Sequence, residues 1–180
     1  MKNFQRIADN VPTMPVMHAL QRHAELWDEN TLRTQFEGSP HAQVHDIWLL
    51  FNSIEQSDES IANDCVVVPY QAWFVLPEAR KLAIDLMQIV GGRQLGRVMI
   101  TKLEPGKKIP EHKDEGAPAT FFQRYQVVMQ SLPGVTFQID DEAVVFATGE
   151  IWWIDNTRKH SVKNNSADDR VVMIVDVRID

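Results

Sequence analysis

Two histidines and an aspartate stand in a pattern that suits metal chemistry: His112-Lys113-Asp114, then His160. A His-x-Asp at the end of a strand sets an imidazole and a carboxylate side by side, and a second imidazole from a distant strand completes a face. Such a face holds iron(II) and leaves the opposite coordination positions open for a cosubstrate and dioxygen. Pro105-Gly106 and Pro110 precede the tripeptide, where a strand should give way to a loop, and Ser161-Val162 after His160 opens another strand. Ten residues beyond His160, Arg170 heads the apolar run 171–175. A guanidinium opening an apolar strand suits a buried carboxylate, because its planar fork makes two parallel hydrogen bonds. The far carboxylate of 2-oxoglutarate needs such a clamp.

Each feature alone also has an ordinary reading. His-x-Asp occurs in solvated loops, and Arg170 could pair with Asp168 or Asp169 at a strand edge. The order of all four residues is what argues for a site. A non-redox cupin-type protein holding a metal or small ligand would use the same fold, but it has no need of a cation at that spacing.

The elements that must carry these residues change in texture near Gly91-Gly92. Upstream, residues 17–27 place Leu20, His23, Ala24 and Trp27 at helical spacing. Residues 79–90 follow Pro77-Glu78 as a second helix, with Leu82, Leu86, Ile89 and Val90 on one face and Gly91-Gly92 as its stop. Apolar runs at 47–51 and 65–68 suit buried strands. Downstream, turn residues such as Glu104-Pro105-Gly106, Leu132-Pro133-Gly134 and Asp140-Asp141 divide strands over 98–103, 125–129, 135–139, 143–147, 151–154 and 170–179. Many short strands at regular spacing predict a mainly β fold with flanking helices, a double-stranded β-helix (jelly roll, cupin-like) rather than a βαβ fold. We expect one domain over 1–180, with 1–92 as a mixed flanking part and 93–180 as the jelly-roll core that carries the metal site.

Composition bounds the partners. At 44% hydrophobic and 24% charged, 180 residues suffice for one domain with a sizeable core. The net charge of -7 argues against a nucleic-acid protein, which draws its affinity from clustered Lys and Arg. One cysteine, Cys65, excludes an internal disulfide and any multi-cysteine metal site, and points to a reducing, cytoplasmic setting. The amino terminus lacks the apolar stretch of a secretion signal, and no apolar run reaches the length needed to cross a bilayer.

Other reactive residues read as structural. His41 and His45 are four apart, but Pro40 precedes them, a strand follows, and Ala42 stands where a zinc-protease motif needs glutamate. His18 and His23 fall at the margins of a surface helix, and Cys65 reads as a buried small hydrophobe. Trp152 and Trp153 suit a strand core, Asp155-Asn156 a turn, and the acidic stretch 55–64 a solvated loop.

Taken together, the motifs resemble those of the aspartyl/asparaginyl β-hydroxylase family of Fe(II)/2-oxoglutarate-dependent oxygenases. Lys102-Leu103-Glu104-Pro105-Gly106 with Ile109-Pro110-Glu111-His112-Lys113-Asp114 resembles the first metal-binding block. Gly149-Glu150, Trp153-Ile154-Asp155-Asn156, His160-Ser161-Val162-Lys163-Asn164, and Arg170 with the strand ending Asp176-Val177 resemble the second. Ser39-Pro40-His41 and Asp46-Ile47-Trp48-Leu49 are similar to an upstream segment, and the likeness is densest over 98–177. The resemblance implies iron ligation by His112 and His160, with Asp114 completing the set as in free-proline hydroxylases of the superfamily. It implies 2-oxoglutarate on Arg170, and Arg124 at the cosubstrate's other end. Gln126 replaces the histidine of the family's Arg-x-His, and its amide can still donate a hydrogen bond. The implied activity is hydroxylation of an amino acid, free or within a peptide, by a catalytic core without the membrane anchor and extra domains of the larger members.

Overall fold

The computed structural model describes residues 1–54 and 63–179, so most of the expected acidic loop at 55–64 lies outside the described residues. The strands are β1 (Phe4–Ala8), β2 (Val44–Phe51), β3 (Val68–Pro69), β4 (Gln94–Leu103), β5 (Lys108–His112), β6 (Gln123–Gln130), β7 (Val135–Ile139), β8 (Glu142–Val144), β9 (Ile151–Ile154), β10 (His160–Asn164) and β11 (Arg170–Arg178). They form a seven-stranded sheet in the order β1-β9-β6-β11-β4-β2-β3 and a four-stranded sheet in the order β5-β10-β7-β8. Every pairing is antiparallel, and the two sheets face each other as a jelly roll. The helices are α1 (Met14–Arg22), α2 (Leu32–Gln35), α3 (Gln71–Val75), α4 (Pro77–Ile89) and α5 (Ala117–Phe121). No described helix is long and apolar enough to cross a membrane.

Strand periodicity decides which side chains enter the site. Along β11, Val171, Met173, Val175 and Val177 pack against α1 and α4 on the outer face of the larger sheet. The alternate residues Arg170, Val172, Ile174 and Asp176 therefore turn inward, where Val172 joins Phe137, Ile139 and Val162 of the smaller sheet. A one-residue slip would drive Arg170 and Asp176 into the helix layer and strip four apolar side chains from it, at roughly 1.5–3 kcal/mol each. The register is thus held by the same residues that carry the charge.

Several boundaries differ from the sequence expectation. The first helix starts earlier, with Pro15 in its first turn, and stops at Arg22; a 3-10 turn, Ala24–Leu26, continues the chain. The α4 helix closes where expected: Gly91 adopts φ +68°, and Gly91 and Gly92 donate to the Gln88 and Met87 carbonyls at 3.1 and 2.8 Å. Of 65–68, only Val68 enters a strand, because the Asn52 amide binds the Asp64 and Val66 carbonyls at 2.8 and 2.9 Å. Cys65 is half-buried rather than buried. The expected strand 143–147 pairs only as far as Val144, since the Ala147 N–H is taken by Glu150. The short strands β1 and β5 and the helices α2, α3 and α5 carried no signal strong enough to be expected.

Candidate metal centre and carboxylate pocket

The smaller sheet supplies the imidazoles. His112 ends β5 and His160 begins β10, and the two are direct cross-strand partners with ring centroids 4.3 Å apart. Each ring is oriented the same way: Nδ1 of His112 lies 2.9 Å from the Pro110 carbonyl, and Nδ1 of His160 lies 2.9 Å from the Arg158 carbonyl. A carbonyl can only accept, so Nδ1 carries the proton and Nε2 presents a bare lone pair, the state a metal requires. Burial pushes the His160 pKa down, which keeps that ring neutral.

Asp114 follows in the loop after β5, with Oδ1 3.8 Å from Nε2 of His112. One donor atom from each of His112, Asp114 and His160 lies within 4.8 Å of the others, the one such cluster among the described residues. Burial alone would raise the Asp114 pKa, but Arg124 foremost, then His160 and the Asn156 hydrogen bond, outweigh it and hold the carboxyl well below the usual range.

Beyond the cluster, the larger sheet forms the floor of a cavity of about 640 Å³, whose walls include His41, Thr101, Arg124, Gln126, Phe137 and Arg170. Arg170 is 2% exposed. Its guanidinium donates to Oε1 of Gln126 at 2.7 Å and lies 5.8 Å from the Phe137 ring centre. It meets neither Asp168 nor Asp169, and burial, with no carboxylate opposing it, pushes its pKa down to about 10. A buried cation without a counter-ion costs several kcal/mol, and no carboxylate among the described residues offsets that cost at Arg170.

Arg124 stands on β6 opposite Asp176 of β11. Its Nε and one terminal nitrogen donate to the two Asp176 oxygens at 2.7 and 2.8 Å, and its other terminal nitrogen donates to Oδ2 of Asp114. The residues picked out by spacing therefore do converge, but Gln126 faces Arg170, and Arg124 faces two carboxylates.

Three contributors escaped the sequence reading. Asn156, read as a turn residue within the second block of the resemblance and given no contact there, donates from Nδ2 to Oδ2 of Asp114 at 3.0 Å, and its carbonyl accepts the Asp114 N–H at 3.1 Å. His41 packs edge-on against His112, 4.8 Å between centroids, outside the ligand cluster but on the cavity wall. Arg33 of α2 also lines the cavity and grips buried Asp46 through two bonds of 2.8 and 2.7 Å. No local motif marks these contacts, although His41 and Asp46 fall inside the upstream segment noted above. The tryptophans are structural as expected: Trp152 is buried and stacks on Phe146, and Trp153 binds Gln123. His45 pairs with Asp28 at 2.5 Å, away from the cluster.

A family model for aspartyl/asparaginyl β-hydroxylases matches residues 20–179. No curated protein matches the chain. Among solved structures, a prolyl hydroxylase from Trichoplax adhaerens, in complex with a hypoxia inducible factor peptide fragment, is 10% identical with a TM-score of 0.61, over 98% of this chain and 83% of that one. A 2OG-Fe(II) oxygenase family oxidoreductase from Burkholderia pseudomallei is 13% identical with a TM-score of 0.55, over 91% and 79%. At such identities these two share the fold.

Proposed function

Because the chain belongs to the aspartyl/asparaginyl β-hydroxylase family and is a 2-oxoglutarate-dependent hydroxylase, we propose that His112, Asp114 and His160 hold its iron(II) while Arg170 anchors 2-oxoglutarate. One observation carries the assignment: a fully buried guanidinium with no carboxylate partner among the described residues shares a cavity with two histidines whose Nε2 atoms are bare. Neutral imidazoles and one carboxylate fit iron(II), and an unneutralised cation fits the far carboxylate of the cosubstrate.

Bound iron(II), 2-oxoglutarate and dioxygen supply oxidative hydroxylation of a carbon–hydrogen bond, coupled to decarboxylation of the cosubstrate to succinate. The chain's own residues bind and orient. Arg170 fixes the distal carboxylate, with Gln126 setting the guanidinium's direction and Thr101 lining the same floor. Arg124 lines the same cavity and keeps two N–H groups beyond the three it uses, which would be available to the cosubstrate's other end. Phe137, Ile154 and Ile174 line the cavity with apolar surface that keeps water from competing.

The substrate of this reading is an amino acid, most simply an aspartyl or asparaginyl side chain in a peptide, or a free amino acid. Residues 1–180 act as one oxygenase domain, and a lone half-buried cysteine supports a cytoplasmic setting. Anaerobic titration with Fe(II) and 2-oxoglutarate tests the centre through the visible charge-transfer band of the chelate. A protein that binds the metal but never develops that band overturns the proposal. A screen of amino acids and peptides for substrate-stimulated succinate release then names the substrate.

A further inference from the structure

Asp114 sits in a loop, where no strand pairing fixes its side chain, yet its two oxygens have very different surroundings. Oδ2 accepts from Asn156 at 3.0 Å and from Arg124, while Oδ1 faces His112. Arg124 is itself fixed by the parallel fork to Asp176, a carboxylate only 2% exposed. From this geometry, and resting on the metal site proposed above, we infer that Asn156 and Asp176 are positioning residues: they set how Asp114 meets the metal without touching it. Asn156 grips the carboxylate from behind, Asp176 aims Arg124 at the same oxygen, and Oδ1 alone is left to ligate.

The arrangement gives Arg124 two functions. Three of its five N–H groups are committed to carboxylates, and the remaining two would be available to the cosubstrate. The cross-strand register Asp176↔Arg124 makes the aim a property of the sheet rather than of a mobile side chain. Outer partners of metal ligands commonly govern affinity by about 10- to 100-fold.

The competing explanation is that Arg124–Asp176 merely fastens β6 to β11. Cobalt(II) titration of the full chain without cosubstrate, followed by its visible absorption, separates the two. Asp176→Asn and Asn156→Ala are each expected to weaken cobalt binding about 10- to 100-fold. Glu78→Gln, which breaks the Arg22–Glu78 pair between α1 and α4 outside the cavity lining, should leave it unchanged. Asn156→Ala keeps every buried ion pair intact, so it remains informative even if Asp176→Asn fails to fold. The inference is overturned if Asn156→Ala binds cobalt within twofold of the parent while His112→Ala abolishes binding. Equal binding by His112→Ala and the parent would instead sink the metal site itself, and this inference with it.

Discussion

Replacing Arg170 by methionine should make the metal-free protein more stable and its cosubstrate binding much weaker. The guanidinium is charged in both folded and unfolded states at neutral pH, and burial lowers its folded pKa from 12.5 to about 10. At ~1.36 kcal/mol per tenfold change in proton affinity, keeping it charged inside costs the fold about 3 kcal/mol. The sign follows: a cation with a depressed folded pKa destabilises throughout neutral pH, and relief comes only as pH rises above about 10. Methionine removes that cost and fills similar volume, while Oε1 of Gln126 loses its donor, for about 1 kcal/mol or somewhat more. The net gain of roughly 1–2 kcal/mol should raise the melting temperature of the metal-free chain by roughly 2–8 °C. Against this, 2-oxoglutarate would bury a carboxylate with no partner, a penalty of about 3–5 kcal/mol, or roughly two to four orders of magnitude in Kd. Thermal unfolding of the metal-free chain and calorimetric titration of 2-oxoglutarate onto the metal-loaded one read the two halves separately. A variant that melts lower than the parent yet binds 2-oxoglutarate equally well refutes the reasoning, since the arginine would then be a structural residue.

Two further outcomes follow from other parts of the chain. His160 has a folded pKa below 6.5, so the unfolded chain takes up its proton first, and metal-free stability should decline as pH falls through 6.5. Urea midpoints between pH 7.5 and 5 should show this slope, and His160→Asn should flatten it; an unchanged slope would mean that other groups dominate. Asn164 is fully buried and donates to the Leu103 and Asp168 carbonyls, while its Oδ1 accepts from the Ser166 N–H and hydroxyl. Asn164→Ala should therefore cost about 2–4 kcal/mol by leaving several polar groups unpaired, and lower the melting temperature by roughly 5–15 °C. A loss under 1 kcal/mol would show that water replaces those bonds.

What the sequence revealed and what it hid divide along a physical line. His112, Asp114, His160 and Arg170 were legible because each depends on local facts: a strand giving way to a loop, a strand beginning, a cation at the head of an apolar run. The alternation of β11, which turns Arg170 inward, was not, because 171–175 is apolar throughout and only the packing of the two sheets shows which side chains face the helices. Nor were the residues that aim those groups. Asp176 is 52 positions from Arg124 and Asn156 is 42 from Asp114, and locally the first reads as one more strand residue and the second as a turn former. Their pairing exists only once β6 lies beside β11 and the loop after β9 meets the loop after β5, so it is written in strand register rather than in spacing. The consequence reaches Arg124 and Gln126, which the family resemblance singles out without saying what they touch. Their side chains reach Asp114 and Arg170 respectively, and so tie the carboxylate that would hold the metal and the cation that would hold the cosubstrate to a single strand.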